Sequence, residues 1–323
     1  MLAGSRDGNG RPVLLAVVGP TATGKSALAL SIAEARQGEI ISCDSTAVYR
    51  GFDIGTDKVP AGERRGIPHH LVDVVEPTEV YSAARYSREA ARVVQDVTAR
   101  GHLPILVGGT GLYYRALTRG LFPGPGRNPV LRRRLSRVAE RRGNLSLHRF
   151  LQRCDPESAE RIQPADEKRI VRALEVYLMT GRTLTRHFAD TRSPIAGYTV
   201  VTVGVIISDD LLEQRIARRV DQQLDRGLLD EIRGLLESGV PGDAGPFGGL
   251  VYRQGLEYLR GERDLPATRA LIVRENRRYA RRQRIWFKKE PGVHWVEGPG
   301  ERPRRRQDAL ALLDGVCGRT AGE

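Results

Sequence analysis

Short unbroken apolar runs alternate along this chain with stretches in which apolar positions recur every three or four residues. Val13 to Val18 is apolar throughout and stops at Gly19. It is too short for a helix and suits a strand covered on both faces. Ser26 to Arg36 then carries Leu28, Ile32 and Ala35 at helical spacing, so the region predicts strand, glycine-rich turn and helix. Glu39 to Ser42 predicts a second strand and Leu103 to Val107 another. Between them Tyr86, Ala90, Val93, Val94 and Val97 form one helical face. Strands alternating with helices imply an α/β fold with a parallel sheet.

The texture changes near Gly120. Leu121 to Pro129 holds several Pro and Gly residues, an Arg-rich helical stretch follows, and Ile170, Val171, Leu174, Tyr177 and Leu178 recur at helical spacing. The next strand pattern is Tyr198 to Ile207, rich in β-branched residues, which reads as a core strand returning to the sheet. A chain of 323 residues is at the limit of one core, which suits a body with an insertion. The expected organisation is therefore a core of residues 12–120 and 198–300 with a mostly helical insertion domain at 121–197. A loop of Gly and Pro from Gly239 to Gly249 leads into helices ending near Lys289. Residues 1–11, polar and Gly-rich, read as a flexible tail, and residues 301–323, with the cluster Arg302 to Arg306, as a solvated C-terminal tail.

The turn after the first strand is Gly19-Pro20-Thr21-Ala22-Thr23-Gly24-Lys25-Ser26, which fits G-x-x-x-x-G-K-[ST] between a strand and a helix. In such a loop the backbone N–H groups turn inward around phosphate oxygens and the helix N-terminus adds a favourable field. Lys25 supplies a point charge and Ser26 can ligate Mg²⁺. The fold expected is thus P-loop NTPase-like. A P-loop by itself points to a bound nucleotide such as ATP or GTP and to hydrolysis or phosphoryl transfer, yet the remaining parts of such an engine are not evident. Asp44, after the second strand, stands in an unusually particular setting from Ser45 to Thr56, and Gly108-Gly109-Thr110 ends another strand where ligand loops gather in open α/β sheets.

Charge alters this picture. The formal net charge is +13, from 52 Lys and Arg against 39 Asp and Glu, which suits a polyanionic partner or, equally, an Arg-rich solvated surface. Arg274 to Lys289 carries eight Arg or Lys interleaved with Tyr279, Trp286 and Phe287, a pattern suited to a helix laying charge along a phosphate backbone. Cys43, Cys154 and Cys317 lack the spacing of a disulfide framework or zinc site, and His69, His70 and His294 match no zinc pattern. No stretch has the apolar length of a membrane span or signal peptide, so a cytoplasmic protein is expected.

Taken together, the motifs resemble the tRNA dimethylallyltransferase family, also called tRNA isopentenyltransferases or IPP transferases. The resemblance rests on the P-loop, Asp44-Ser45, Tyr49-Arg50-Gly51, Asp53-Ile54-Gly55-Thr56 and Pro68-His69-His70-Leu71-Val72-Asp73. It extends through Tyr81-Ser82-Ala83-Ala84, Gly108-Gly109-Thr110, Arg172 to Tyr177, Tyr252-Arg253-Gln254, Arg281 to Arg284, Trp286 and Val293-His294-Trp295, nearly the whole chain. It implies transfer of a dimethylallyl group from dimethylallyl diphosphate to N6 of the adenosine beside the anticodon, in tRNAs that read codons beginning with U. The P-loop would hold the diphosphate leaving group, with Mg²⁺ through Ser26, while Asp44 accepts the amine proton and Thr110 works near the reacting centre. The resemblance also implies tRNA contacts from Asp44, Ser45, Thr46, Ala47, Thr110, Arg132, Lys168, Arg169, Arg172, Gly248, Tyr252, Arg253, Arg281 and Arg282. The anticodon stem-loop would be clamped by body and insertion, and a monomer is expected. Two positions depart from the pattern: Ala47 stands where the family commonly has Gln, and Val251 where it commonly has Gly. A small-metabolite kinase would share the P-loop but leave the basic helix idle. A nucleic-acid-binding module with a nucleotide switch would leave Asp44 and Thr110 without a task.

Overall fold

The computed structural model describes residues 5–122 and 124–318. The chain forms two compact units, one of Met1–Thr118 with Pro194–Glu323 and one of Arg119–Ser193. In the first, β1 (Val13–Val18) runs through the P-loop into α1 (Lys25–Arg36), followed by β2 (Gly38–Cys43) and the two-residue β3 (His69–His70). Next come α2 (Ala83–Ala99), β4 (Leu103–Gly108) and α3 (Gly111–Thr118). The second unit consists of α4 (Pro129–Arg142), α5 (Asn144–Cys154), α6 (Pro156–Arg161), α7 (Glu167–Thr180) and α8 (Leu184–Ala189). The first unit resumes with β5 (Thr199–Ile206), α9 (Asp209–Asp225), α10 (Leu228–Glu237), α11 (Leu250–Leu259) and α12 (Leu265–Lys288), and ends with β6 (Val293–Glu297) and α13 (Pro303–Cys317).

The strands pair in the order β3-β2-β4-β1-β5-β6, every pair parallel. The unbroken apolar character of β1 now has its reason. Leu14, Ala16 and Val18 point into one core, with residues of α2, α3 and α9 to α12, while Val13, Leu15 and Val17 point into the other, under α1 and α13. A parallel sheet with helices on both faces needs apolar side chains on both. Among the described residues no helix is long and apolar enough to cross a membrane.

Both tails differ from expectation. Residues 303–317 form α13, which buries Ala309 and Leu313 against the α1 face of the sheet. Arg36 of α1 grips Asp314 with one nitrogen 2.7 Å from each carboxylate oxygen. Pro303 at the first turn and the i, i+4 pair of apolar residues make this an amphipathic helix despite its arginines. At the other end, Asp7 Oδ1 accepts the amides of Asn9 and Arg11, and its Oδ2 accepts the Thr199 hydroxyl at 2.5 Å, so residues 5–11 form a turn held against the start of β5. Residues 1–4 and 319–323 of those two segments lie outside the described residues. The pattern also missed β6, where His294 pairs with Val203 and extends the sheet.

Candidate active site

Strands β2, β4 and β1 are neighbours, and Gly108 is in register with both Cys43 and Val18. Gly19, Asp44 and Gly109 therefore leave the sheet at one level, side by side at its carboxyl edge, where open α/β sheets bind ligands. Gly19 has φ +136, and a Cβ there would lie 2.5 Å from Val205 O, so the turn into the P-loop accepts only glycine. Gly24, at φ +89, caps α1. Thr23, wholly buried, braces the loop by donating its hydroxyl to Pro20 O at 2.9 Å.

The loop forms one wall of a cavity of about 650 Å³ lined also by Ser42 of β2, by Asp44 and Ala47 after it, by Gly109 after β4, by Arg215, Arg218 and Arg219 of α9, and by Tyr279 and Gln283 of α12. Burial, aided by the nearby Arg219 charge and opposed by Asp44, lowers the Lys25 pKa to about 7. In the same way burial, against the attraction of Asp44, lowers Arg219 to about 10. Arg219 ion-pairs with Asp57 and donates to Thr21 Oγ1 at 2.6 Å. Arg215 donates to Ala22 O at 2.8 Å and pairs with Glu301. Two buried cations whose mutual repulsion and desolvation Asp57 and Asp44 only partly offset make a site that gains from an anion.

Asp44 does two things. Its Oδ1 accepts the amides of Thr46 at 2.8 Å and Ala47 at 3.2 Å, so the carboxylate caps the turn after β2. It also faces the cavity, and no described Lys, Arg or His forms an ion pair with it. Thr110 is tied to that turn. Its amide donates to Cys43 O at 3.2 Å and its hydroxyl accepts the Ser45 amide at 3.1 Å. Burial, then the Asp44 charge, pushes the Tyr279 phenol well above its usual range, while a hydrogen bond with the Thr110 side chain opposes them.

Arg219, Tyr279 and Gln283 were not singled out as site residues from the sequence. Arg215, Arg218 and Arg219 at i, i+3 and i+4 after a returning strand share one helical face, which is a usable signal for the first. Gln283 falls inside the resemblance at Arg281 to Arg284, but its type gave no site role, because a polar residue among arginines on a surface helix reads as solvated.

The remaining expected contacts separate. Arg281 and Arg282 are exposed on α12 without a carboxylate partner among the described residues, and the Arg282 guanidinium lies 5.7 Å from the Tyr279 ring centre. Other bases of that helix are neutralised: Arg277 pairs with Glu213 and Arg284 with Asp209, both on α9. Gly248 and Arg253 are exposed, and a Cβ on the neighbouring Gly249 would lie 3.9 Å from Thr46. Tyr252 is not a surface contact. It is 1% exposed, packs edge-on to Phe52 at 4.7 Å, donates to Glu231 at 2.6 Å and accepts the Gly55 amide at 3.0 Å.

In the second unit Arg132 and Arg172 are likewise engaged. Glu175 is wholly buried and receives Arg132 through two nitrogens at 2.9 and 2.8 Å, Arg172 at 2.7 Å and the Asn128 amide at 2.7 Å. Burial would raise its pKa, but the two guanidinium groups outweigh that and hold it near 2. These arginines organise the helical unit. Lys168 and Arg169 are exposed at the start of α7.

The IPP transferase family model matches residues 47–290, more than half of the chain. The chain belongs to this family. A tRNA dimethylallyltransferase of Solibacter usitatus is 46% identical over 297 residues, covering 92% of this chain and 96% of that protein. One from Geobacter metallireducens is 45% identical over 288 residues, with 89% and 93% covered. Among solved structures, the full-length tRNA isopentenylpyrophosphate transferase of Bacillus halodurans superposes with a TM-score of 0.69 at 35% identity, over 94% of this chain and 95% of its own. A eukaryotic dimethylallyltransferase described as acting on tRNA gives 0.77 at 27% identity, over 96% and 81%.

Proposed function

We propose that this member of the IPP transferase family transfers a dimethylallyl group from dimethylallyl diphosphate to N6 of the adenosine adjacent to the anticodon, in tRNAs reading codons that begin with U, and works in the cytoplasm. The observation that carries the reading is the meeting of the P-loop with Asp44 in one cavity, at the carboxyl ends of β1 and β2 on either side of β4. An N–C bond forms as the bond between C1 and the diphosphate oxygen breaks. The P-loop amides, Lys25 and Arg219 hold the charge that develops on the departing diphosphate. The adenine amine is a weak nucleophile that must lose a proton, and the Asp44 carboxylate accepts it. Lys25 with a pKa near 7 becomes fully charged as the diphosphate arrives.

Dimethylallyl diphosphate calls for a divalent ion. Among the described residues no group of three His, Cys, Asp or Glu side chains is suited to hold a metal. The exposed Ser26 hydroxyl at the head of α1, on the cavity wall, is the protein group that would hold a Mg²⁺ brought in with the diphosphate. Bound there, the ion would share the leaving group's charge. The small-metabolite kinase finds no support in the family or its relatives. The deciding experiment incubates an unmodified tRNA carrying adenosine beside the anticodon with the protein, Mg²⁺ and dimethylallyl diphosphate, then maps the mass shift. A shift of one C5H8 unit on that nucleoside is expected, and phosphate transfer from ATP to a small acceptor without prenylation would reject the reading.

A further inference from the structure

Gln283 joins the two halves of the site. Its Oε1 accepts the Thr21 amide at 2.8 Å, and its Nε2 donates to Gly109 O at 3.0 Å. The residue is 6% exposed, and a Cβ on Gly109 would lie 2.0 Å from that Nε2. One amide thus fixes the separation between the loop after β1, which cradles the leaving group, and the loop after β4, which carries Thr110. Thr110 in turn holds Ser45, the residue after Asp44. Thr21 is further held by Arg219 through its hydroxyl. The neighbour of Gln283 on α12, Arg282, is exposed, and one turn earlier Tyr279 lines the cavity.

From this bridge, and resting on the prenyl-transfer reading, we propose that Gln283 is a positioning residue for the reaction. It sets the distance between the diphosphate cradle and the turn that presents Asp44, without touching either reacting group. The amide is suited to this because it donates and accepts at opposite atoms, in a geometry that neither carboxylate nor aliphatic chain reproduces. Since the bridge determines relative placement and leaves the cradle's amides and cations in place, its loss should appear in turnover rather than in affinity. A misplacement near 1 Å at a reacting centre costs about 100-fold in rate.

The test compares the wild type with Gln283→Met, which keeps the packing volume, and Gln283→Glu, which keeps the acceptor for Thr21 but sets an oxygen against Gly109 O. Single-turnover prenylation at saturating tRNA and dimethylallyl diphosphate is measured beside the Kd for pyrophosphate and the Tm. Expected for both variants is a rate lowered by roughly 10- to 100-fold, with pyrophosphate affinity within about threefold. A Gln283→Met protein that folds and turns over within about twofold of wild type overturns the proposal, as does a rate loss matched by an equal loss of pyrophosphate affinity. Should Gln283→Met fail to fold, Gln283→Glu is judged by the same criteria. Absence of prenylation by the wild type would refute the underlying reading instead, so the two failures are distinct.

Discussion

The Thr110 hydroxyl accepts the Ser45 amide at 3.1 Å, binding the turn after β4 to the residue that follows Asp44. Strand pairing sets the level of these two turns, and this bond sets their detail. Thr110→Val, which keeps the shape and removes the hydroxyl, should lower prenyl transfer by about 10- to 100-fold, because Asp44 loses its fixed aim. Thr110→Ser should recover most of the rate. Steady-state kinetics on the three proteins checks this, and equal rates for Val and Ser would detach the hydroxyl from the reaction.

Asp44 caps its turn with Oδ1 and faces the cavity, so removing the side chain would confound two roles. Asp44→Asn retains an acceptor for Thr46 and Ala47 yet removes the proton acceptor. Prenyl transfer should fall by at least about 100-fold while tRNA and pyrophosphate affinities stay within a few-fold. Rates and affinities measured together separate the two functions, and near-normal turnover would relieve Asp44 of base duty.

Lys25 has a pKa lowered to about 7, first by burial and then by Arg219. A bound diphosphate favours its charged form, so the pKa rises on binding and a proton is taken up. Near pH 8, where the lysine is mostly neutral beforehand, wild type should take up close to one proton more per pyrophosphate than Lys25→Met, and near pH 5.5 the excess should vanish. Calorimetry in buffers of differing ionisation enthalpy reads the difference. In the absence of ligand the lowered pKa means that the unfolded chain binds more protons between about pH 7 and 10, so this residue makes stability rise with pH across that window.

Arg281 and Arg282 are exposed, form no ion pair among the described residues, and sit on the helix that lends Tyr279 and Gln283 to the cavity wall. The double change to Glu should weaken tRNA binding and reduce the slope of log affinity against log salt by about two, with pyrophosphate affinity nearly unchanged. Filter binding across a salt series is the measurement. An unaltered slope would assign these residues to solubility.

Glu175 lies buried between Arg132 and Arg172, and replacing it by Ala leaves two guanidinium groups without their acceptor. A loss of about 3 kcal/mol in the helical unit is expected, read by denaturant unfolding. The carboxylate is held near pH 2 against an unfolded value of 4.5, so its contribution is intact above about pH 5 and fades as pH falls from there toward 2. A stable Glu175→Ala protein would return Arg132 and Arg172 to the surface roles suggested by resemblance.

Local pattern was enough to expose the order of β1, α1, β2, β4 and β5, the P-loop and the oddness of Asp44 and Gly109-Thr110, because each depends on a few adjacent residues: apolar runs, glycines at strand ends, a lysine at the head of a helix. Which arginines bear charge outward was not decided locally. Arg132, Arg277 and Arg284 met carboxylates on other helices, Arg172 shares the buried Glu175 of its own helix with Arg132, and Arg219 was drawn into the cavity. Tyr252 and residues 303–317 were misread for the same reason, since burial belongs to the neighbours a side chain finds, not to its type. The order of strands did the rest. Pairing β4 between β1 and β2 brings Gly19, Asp44 and Gly109 level, and only then does a glutamine 262 residues from Thr21 reach its amide. Sequence determined the chemistry available, whereas the sheet's register decided which groups stand within reach of one another.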